Sequence, residues 1–165
     1  MEFIAKNLED TAVLADFFAS AIKDEGCFLC LYGDIGVGKT AFCKELLKKI
    51  GVGQKVTSPS FVILNEYKGN HLPVFHFDLY RLEETGLDSI LPELIEYSKE
   101  KVITLVEWAN FGEYELPLDR IDVVIDYNFE LGENSRKFTF KARGSENEAK
   151  LLKFKELMEC NWWII

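Results

Sequence analysis

The sequence predicts an α/β fold, a single domain in which helices flank a mixed β-sheet. Short apolar runs, which are typical of buried strands, alternate along the chain with segments of helical periodicity. Two strand-like segments are separated only by turn residues, which indicates an antiparallel hairpin at one side of the sheet. The length of 165 residues suits one domain with one core. We expect this domain to end in a short carboxy-terminal tail of about residues 159–165.

The first part of the chain is predicted to form two strands and two helices. Residues 3–5 suit a short first strand, and apolar side chains recur at helical spacing over residues 13–22. Residues 27–31 form a continuous apolar run between glycines, which is the pattern of a strand buried on both faces. A second helix is predicted over residues 40–50, and Gly51 is expected to end it.

The second part of the chain is predicted to begin with the hairpin. Its strands are residues 62–67 and 74–77, and residues 68–73 supply the turn. The remaining pattern predicts three more strands and two more helices. The strands are residues 102–106, 121–126 and 137–141, and the helices are residues 91–97 and 146–158.

The charge balance bears on nucleic-acid binding. A net charge of −9 and a pI near 4.8 give a mean field that repels phosphate groups. We therefore expect that any RNA substrate is held by partner proteins, so that the chain meets RNA only indirectly.

Several other classes of protein are disfavoured by the sequence. The longest apolar runs are far shorter than the roughly 20 residues that a membrane-spanning helix needs. The first residues lack the features of a secretory signal, so a cytoplasmic protein is expected. Cys27 and Cys30 have the spacing of a redox motif, but they lie within an apolar run and are expected to be buried, reduced thiols on opposite faces of a strand.

The strongest functional signal is the sequence GDIGVGKT at residues 33–40, a full match to the phosphate-binding loop GxxxxGK[ST]. It follows a predicted buried strand and precedes a predicted helix, as that motif requires. Lys39 is expected to contact the β and γ phosphates of a nucleotide, and Thr40 to ligate Mg²⁺. The surrounding backbone and the first turn of the helix are expected to contact the nucleotide at Asp34, Gly36, Val37, Gly38 and Ala41.

Phosphoryl transfer also needs carboxylates near the metal and the nucleophile. Asp78 and Glu107 are each the first carboxylate after a predicted buried strand, where both would meet the phosphate loop. Trp108 is compatible with core packing or with the rim of the site. The segment of residues 57–61 suits either a switch that responds to γ-phosphate or a plain turn. His76 is expected to face away from Phe75 and Phe77, and the pattern assigns it no role.

The combination of these motifs resembles the TsaE (YjeE) family. The residues that carry the resemblance are 33–40, 57–61, 76–82 (HFDLYRL) and 106–108 (VEW), within a region of about residues 11–143. The resemblance implies a P-loop NTPase-like fold and a Mg²⁺-dependent ATPase that is slow alone and stimulated by partners. It also implies a role in forming threonylcarbamoyladenosine at position 37 of tRNA, with the TsaB and TsaD proteins as partners.

The resemblance further implies roles for individual residues. Lys39 would bind phosphate, Thr40 would bind Mg²⁺, and Asp78 and Glu107 would be catalytic or metal-linked carboxylates. Trp108 would lie beside the nucleotide. Thr11 matches a position on the adenine side, and Arg136 falls near another nucleotide-contact region. The apolar residues 162–165 lie outside the resemblance and are expected to dock on the domain or on a partner.

Two other functions fit a phosphate-binding loop. A small-molecule or nucleotide kinase would share the loop, but kinases commonly use clustered arginines, and the four arginines of this chain are scattered. A binding module that is controlled by ATP without hydrolysing it would need the same nucleotide site. The role of Glu107 distinguishes these alternatives, because a carboxylate that positions water permits hydrolysis.

Overall fold

A computed structural model describes residues 1–57, 59 and 62–161, and within them it contains one mixed sheet of seven strands. The strands are β1 (Glu2–Ala5), β2 (Cys27–Tyr32), β3 (Leu64–Lys68), β4 (Pro73–Asp78), β5 (Ile103–Glu107), β6 (Arg120–Tyr127) and β7 (Arg136–Arg143). The α-helices are α1 (Leu8–Ile22), α2 (Lys39–Ile50), α3 (Leu91–Lys99) and α4 (Ser145–Asn161). The predicted α/β domain with helices around a mixed sheet is confirmed.

The strand order is β1-β7-β6-β2-β5-β4-β3. The four central strands run parallel, since β2 pairs with β5 and β6, and β5 pairs with β4. The outer strands pair antiparallel with their neighbours, β3 with β4 at one edge and β7 with both β6 and the edge strand β1 on the other side. The carboxyl ends of β2, β4 and β5 therefore meet at one edge of the sheet, where ligands bind in folds of this kind.

The helices cover both faces of the sheet. On one face, α1, α2 and α4 enclose a core that includes Phe18, Leu46 and Phe154. On the other face, α3 and the segments after β4 and β5 enclose a second core around Phe77 and Leu94. Because both faces are covered, β2 and β5 are near-continuous apolar runs without a regular alternation of polar residues.

The cysteines of β2 belong to these two cores. Cys27 packs in the first core and Cys30 in the second, and both are free thiols. Burial raises the pKa of the Cys27 thiol to about 12. The prediction of buried, reduced thiols on opposite faces is confirmed.

Most element boundaries lie within two residues of the predicted ones, and other differences occur at α1, β3 and α4. Helix α1 begins five residues earlier than predicted, because the Asn7 side chain caps it by accepting a hydrogen bond from the Asp10 amide at 2.9 Å. Strand β3 begins at Leu64 instead of residue 62, since Ile63 has a φ of 70° that a strand does not accommodate. Helix α4 includes residues 159–161, which were expected in the tail, and residues 162–165 lie outside the described residues.

Among residues 1–57, 59 and 62–161, no helix combines the length and the apolarity that crossing a bilayer requires.

We predict that Phe18→Ala lowers the free energy of unfolding by about 3–5 kcal/mol, as is typical when a buried phenylalanine is truncated. Phe18 is fully buried, and its ring lies 5.3 Å from the rings of both Phe140 and Phe154. Tyr114→Ala is the control, since Tyr114 is 99% exposed and its removal should change stability by less than about 0.5 kcal/mol. Denaturant unfolding measures both, and equal effects would contradict the packing described.

Candidate functional site

The phosphate-binding loop connects the end of β2 to the start of α2. Gly33 has a φ of 140°, and a Cβ there would collide with the carbonyl oxygen of Ile125 in the neighbouring strand. Gly38, the N-cap residue of α2, has a φ of 118°, with open space where a Cβ would stand. The loop is thus held close to the sheet and leaves room at the amino terminus of a helix, a place that attracts anions.

The side chain of Lys39 turns back toward the phosphate-binding loop. Its Nζ donates hydrogen bonds to the carbonyl oxygens of Gly33 at 2.6 Å and Asp34 at 3.0 Å. Burial lowers the pKa of Lys39 from its ordinary value, although the carboxylates of Glu107 and Asp78 act in the opposite direction. The cation is therefore poorly hydrated, which favours its contact with an incoming anion.

Thr40, Glu107 and His76 form a chain of hydrogen bonds. The Thr40 Oγ1 donates to Glu107 Oε2 at 2.6 Å, and His76 Nε2 lies 2.8 Å from Glu107 Oε1. The Glu107 side chain is 1% exposed and the His76 side chain 0%. The first contact joins Thr40, the predicted metal ligand of the loop, to Glu107, a predicted site carboxylate. The second contact joins Glu107 to His76, to which the sequence pattern assigns no role.

Asp78 is the register partner of Glu107 across the parallel β4–β5 pair, so both side chains lie on the face that α2 covers. It is 2% exposed, and its Oδ1 accepts a hydrogen bond from the Tyr80 amide at 3.0 Å. Its own amide donates to the Ile63 carbonyl oxygen at 2.9 Å. Asp78 therefore connects the carboxylate pair to the segment that precedes β3.

Trp108 covers the cation from the outer side. The Lys39 Nζ lies 3.6 Å from the centre of the indole ring, a cation–π distance. The indole in turn stacks on Phe111, with ring centres 5.6 Å apart, and lies 5.0 Å from the ring of Tyr80. A φ of 59° at Trp108 turns the chain sharply after β5 and brings the ring to this place.

An open cleft of about 600 Å³ lies on the other side of the loop, between the start of α1 and strand β7. Its volume is within the range of small-molecule sites. Six predicted nucleotide-binding residues line it, namely Thr11, Gly36, Val37, Gly38, Ala41 and Arg136. The cleft is therefore continuous with the amino-terminal end of α2.

Two side chains from the β6–β7 pair hold the loop in place. Arg136 Nε donates to the Val37 carbonyl oxygen at 2.7 Å, and Tyr127 Oη donates to the Ile35 carbonyl oxygen at 3.1 Å. The Arg136 guanidinium lies 4.4 Å from the centre of the Tyr127 ring. The sequence analysis did not predict a role for Tyr127. The signal that could have identified it is its position at the end of β6, the strand beside β2.

Cys43 lies next to the hydrogen-bonded chain. Its Sγ and the ligand atoms of His76 and Glu107 are all within 4.8 Å of one another, and all three residues are buried. Burial raises the pKa of the Cys43 thiol well above its ordinary value, and the charges of Glu107 and Asp78 raise it further. Soft metals bind the deprotonated thiolate, and a raised pKa disfavours deprotonation. This environment therefore favours a packed, neutral thiol over a metal ligand.

The structure thus brings the predicted site residues together in two groups. Lys39, Thr40, Asp78, Glu107 and Trp108 meet at the carboxyl ends of the strands, and the residues of the cleft meet beyond the loop. Asp34 has an exposed side chain and contributes its carbonyl oxygen to Lys39. Of the predicted switch segment, Ser58, Ser60 and Phe61 lie outside the described residues.

The first group matches the chemistry of a magnesium phosphate site. A hydroxyl and two carboxylates supply hard oxygen donors, which Mg²⁺ prefers. Lys39 and the amino-terminal end of α2 supply the positive potential that a phosphate chain requires. These side chains therefore fit both Mg²⁺ and a phosphate chain, which the sequence predicts at this place.

Comparisons with known proteins identify the family of the chain. The model of the family described as "Threonylcarbamoyl adenosine biosynthesis protein TsaE" matches residues 5–138. The tRNA threonylcarbamoyladenosine biosynthesis protein TsaE of Bacillus subtilis is 38% identical over 142 residues, which is 86% of this chain and 85% of that protein. The protein of the same name from Rickettsia bellii is 36% identical, over 73% of this chain and 82% of the relative.

Similarity to a solved structure extends over almost the whole chain. The crystal structure of Bacillus subtilis YdiB superposes with a TM-score of 0.76 at 34% identity, covering 94% of both chains. The family match covers more than half of the sequence and includes the phosphate-binding loop and both carboxylates. The chain therefore belongs to the TsaE family of proteins of threonylcarbamoyladenosine biosynthesis.

Proposed function

We propose that the chain binds ATP with Mg²⁺ and hydrolyses it, as the ATPase subunit of the machinery that forms threonylcarbamoyladenosine at position 37 of tRNA. The observation that carries the proposal is the 2.6 Å hydrogen bond between Thr40 and Glu107 at the mouth of the phosphate-binding loop. It joins the metal-binding hydroxyl of the loop to a buried carboxylate, an arrangement suited to phosphoryl transfer.

Each residue at the phosphate end has a distinct part in this proposal. Lys39 exchanges its carbonyl partners for phosphate oxygens, which are better acceptors for a buried cation. Thr40 and Glu107 form the metal side of the site, and Asp78 is the second carboxylate, beside the place of the attacking water. Mg²⁺, when bound, neutralises charge on the phosphate oxygens.

The cleft receives the nucleoside in this proposal. It adjoins the loop that binds the phosphates and has the volume of a small-molecule site. Thr11 is buried at the start of α1, where its hydroxyl donates to the Asn7 carbonyl oxygen at 3.2 Å. Arg136 holds the loop from the opposite wall. The nucleoside thus lies between α1 and β7, and the phosphates point toward Glu107.

Hydrolysis is favoured over transfer to a small-molecule acceptor because of where the arginines lie. Arg120 Nε and Arg143 Nε both donate to the carboxylate of Asp122 at 2.7 Å, on the face of the sheet opposite α1 and α2. Arg136 bonds the backbone of the loop. Three of the four arginines of the chain are thus engaged with Asp122 or with the backbone of the loop. A kinase would instead use arginines to contact the transferring phosphate.

The nucleotide controls docking on partner proteins in this proposal. The Ile63 carbonyl oxygen accepts a hydrogen bond from the amide of Asp78, so the segment that precedes β3 is joined at Ile63 to the backbone of a site carboxylate. Ile63 has a φ of 70°, which is strained for a β-branched residue. Contacts that form with γ-phosphate and disappear with ADP would shift this segment between two arrangements. The partners are the TsaB and TsaD proteins, and tRNA is reached through them.

The first prediction concerns Lys39. Lys39→Ala should weaken ATP binding by more than about tenfold, because one charged hydrogen bond contributes about 1.5–3 kcal/mol. Lys44→Ala is the matched control, since Lys44 lies on the same helix with an exposed side chain. Calorimetry on both folded variants measures the difference. Wild-type affinity in Lys39→Ala would contradict the proposed phosphate contact.

The second prediction concerns the carboxylates. Glu107→Gln and Asp78→Asn should each lower kcat by about a hundredfold or more while changing ATP affinity less, because positioned acid–base groups act mainly in the transition state. Glu66→Gln, an exposed residue of β3, is the control and should retain wild-type turnover. Steady-state hydrolysis and calorimetry separate the two effects. Normal turnover in both carboxylate variants would reject their assignment.

The third prediction concerns docking. The affinity of the chain for the TsaB–TsaD pair should differ by about tenfold or more between its ATP and ADP states, which corresponds to about 1.4 kcal/mol. A non-hydrolysable analogue should reproduce the ATP-state affinity but not sustain modification over repeated turnovers. Lys39→Ala should lose the nucleotide dependence. Equal affinity and equal modification with all three nucleotides would show that no such cycle operates.

A further inference from the structure

We propose that His76 is a positioning residue that fixes the Glu107 carboxylate in the orientation that serves Thr40. This inference rests on the proposed function, because the orientation matters for hydrolysis at the phosphate-binding loop. Within the described part of the chain, His76 makes no hydrogen bond to the loop and does not line the cleft. It acts through Glu107, which lies between it and Thr40.

The two oxygens of Glu107 have different partners. Oε2 accepts from the Thr40 hydroxyl at 2.6 Å, and Oε1 lies 2.8 Å from His76 Nε2. A glutamate side chain has three rotatable torsions, so a single contact leaves its carboxylate free to turn. With both oxygens engaged, the carboxylate plane is fixed relative to α2. The orientation seen by Thr40 therefore depends on the ring of His76.

The hydrogen bond also sets the form of the imidazole. A carboxylate oxygen only accepts hydrogen bonds, so the hydrogen between His76 and Glu107 is on Nε2. His76 Nδ1 is buried and has no hydrogen-bond partner among the described residues. In the Nε2–H tautomer, Nε2 donates to Glu107 and Nδ1 carries only an unpaired lone pair. In the Nδ1–H tautomer, Nδ1 would be a buried donor without a partner, and the acceptor Nε2 would face the acceptor Oε1 of Glu107.

The surroundings keep the ring in this place. His76 lies on β4 with its side chain on the face covered by α2, two residues before Asp78. The ring of Tyr67 on the neighbouring strand lies 6.5 Å away, and the buried thiol of Cys43 lies within 4.8 Å of a ring nitrogen. None of these neighbours supplies a second donor to Glu107 Oε1 within the described part of the chain. His76 is thus its source of positioning.

The first test measures the tautomer in the nucleotide-free protein. The chain has two histidines, His71 and His76, so the imidazole nitrogen spectrum contains two ring systems. His71→Gln identifies the signals of His76, and it is a control because His71 is a surface residue that pairs with Asp24. We expect the Nε2–H tautomer at His76. Observation of the Nδ1–H tautomer would overturn the proposal, whether or not the protein hydrolyses ATP.

The second test measures turnover in two variants. His76→Leu should lower kcat for ATP hydrolysis by about tenfold to a hundredfold, the usual effect of losing an outer partner of a metal-linked ligand, with little change in KM. His76→Gln should restore most of the activity, because its amide can donate from nearly the same position. Wild-type kcat in His76→Leu, or equal loss in both variants, would overturn positioning.

The third test is a double-mutant cycle with Glu107→Gln. If His76 acts through Glu107, His76→Leu should cause no further loss of turnover in the Glu107→Gln background, and the two changes should also be non-additive in the free energy of unfolding. Additive effects in both measurements would overturn the proposal. An inactive wild-type protein would instead reject the proposed function, and the tautomer and the unfolding cycle would still decide the His76–Glu107 contact.

Discussion

The parallel pairing of β2 with β5, and of β5 with β4, is the constraint on which the site depends. It brings the carboxyl ends of three strands to one edge, so the loop after β2 meets Glu107 and Asp78. An antiparallel neighbour would place its last residue at the opposite edge. Since parallel strands need covered faces, the same pairing requires helices on both sides of the sheet. The burial of the two carboxylates follows from that cover, and so does their need for hydrogen-bond donors.

Much of this arrangement could be predicted from local sequence patterns. Apolar runs identify β2 and β5 because both are buried on two faces, and Asp78 and Glu107 stand out as the first carboxylates after such runs. The alternation in β4 correctly turns His76 away from its neighbours. Phe75 stacks on Tyr97 of α3 at 3.7 Å, while the imidazole lies on the side of α2. The glycines of the loop are identified by a motif whose spacing reflects backbone geometry.

What the sequence could not predict depends on contacts between distant segments. His76 and Glu107 are 31 residues apart, and their hydrogen bond exists only because of the register between β4 and β5. Tyr127 reaches the Ile35 carbonyl oxygen over a separation of 92 residues. The early start of α1 was missed for a different reason, since its first turn is polar and capping by Asn7, rather than apolar periodicity, defines it.

The two carboxylates are held in different ways, and this difference suits the proposed cycle. Glu107 is held through its side chain, which pairs with Thr40 of the loop and with His76 of β4. Asp78 accepts from the Tyr80 amide through its side chain, and its own backbone amide donates to the carbonyl oxygen of the strained Ile63, just before β3. In the proposed cycle, a rearrangement at Ile63 would therefore act on Asp78, while Glu107 keeps its two side-chain partners. Under the proposed function, the site would bind nucleotide in one geometry and complete hydrolysis in another, and a partner that contacts the residues before β3 would select between them.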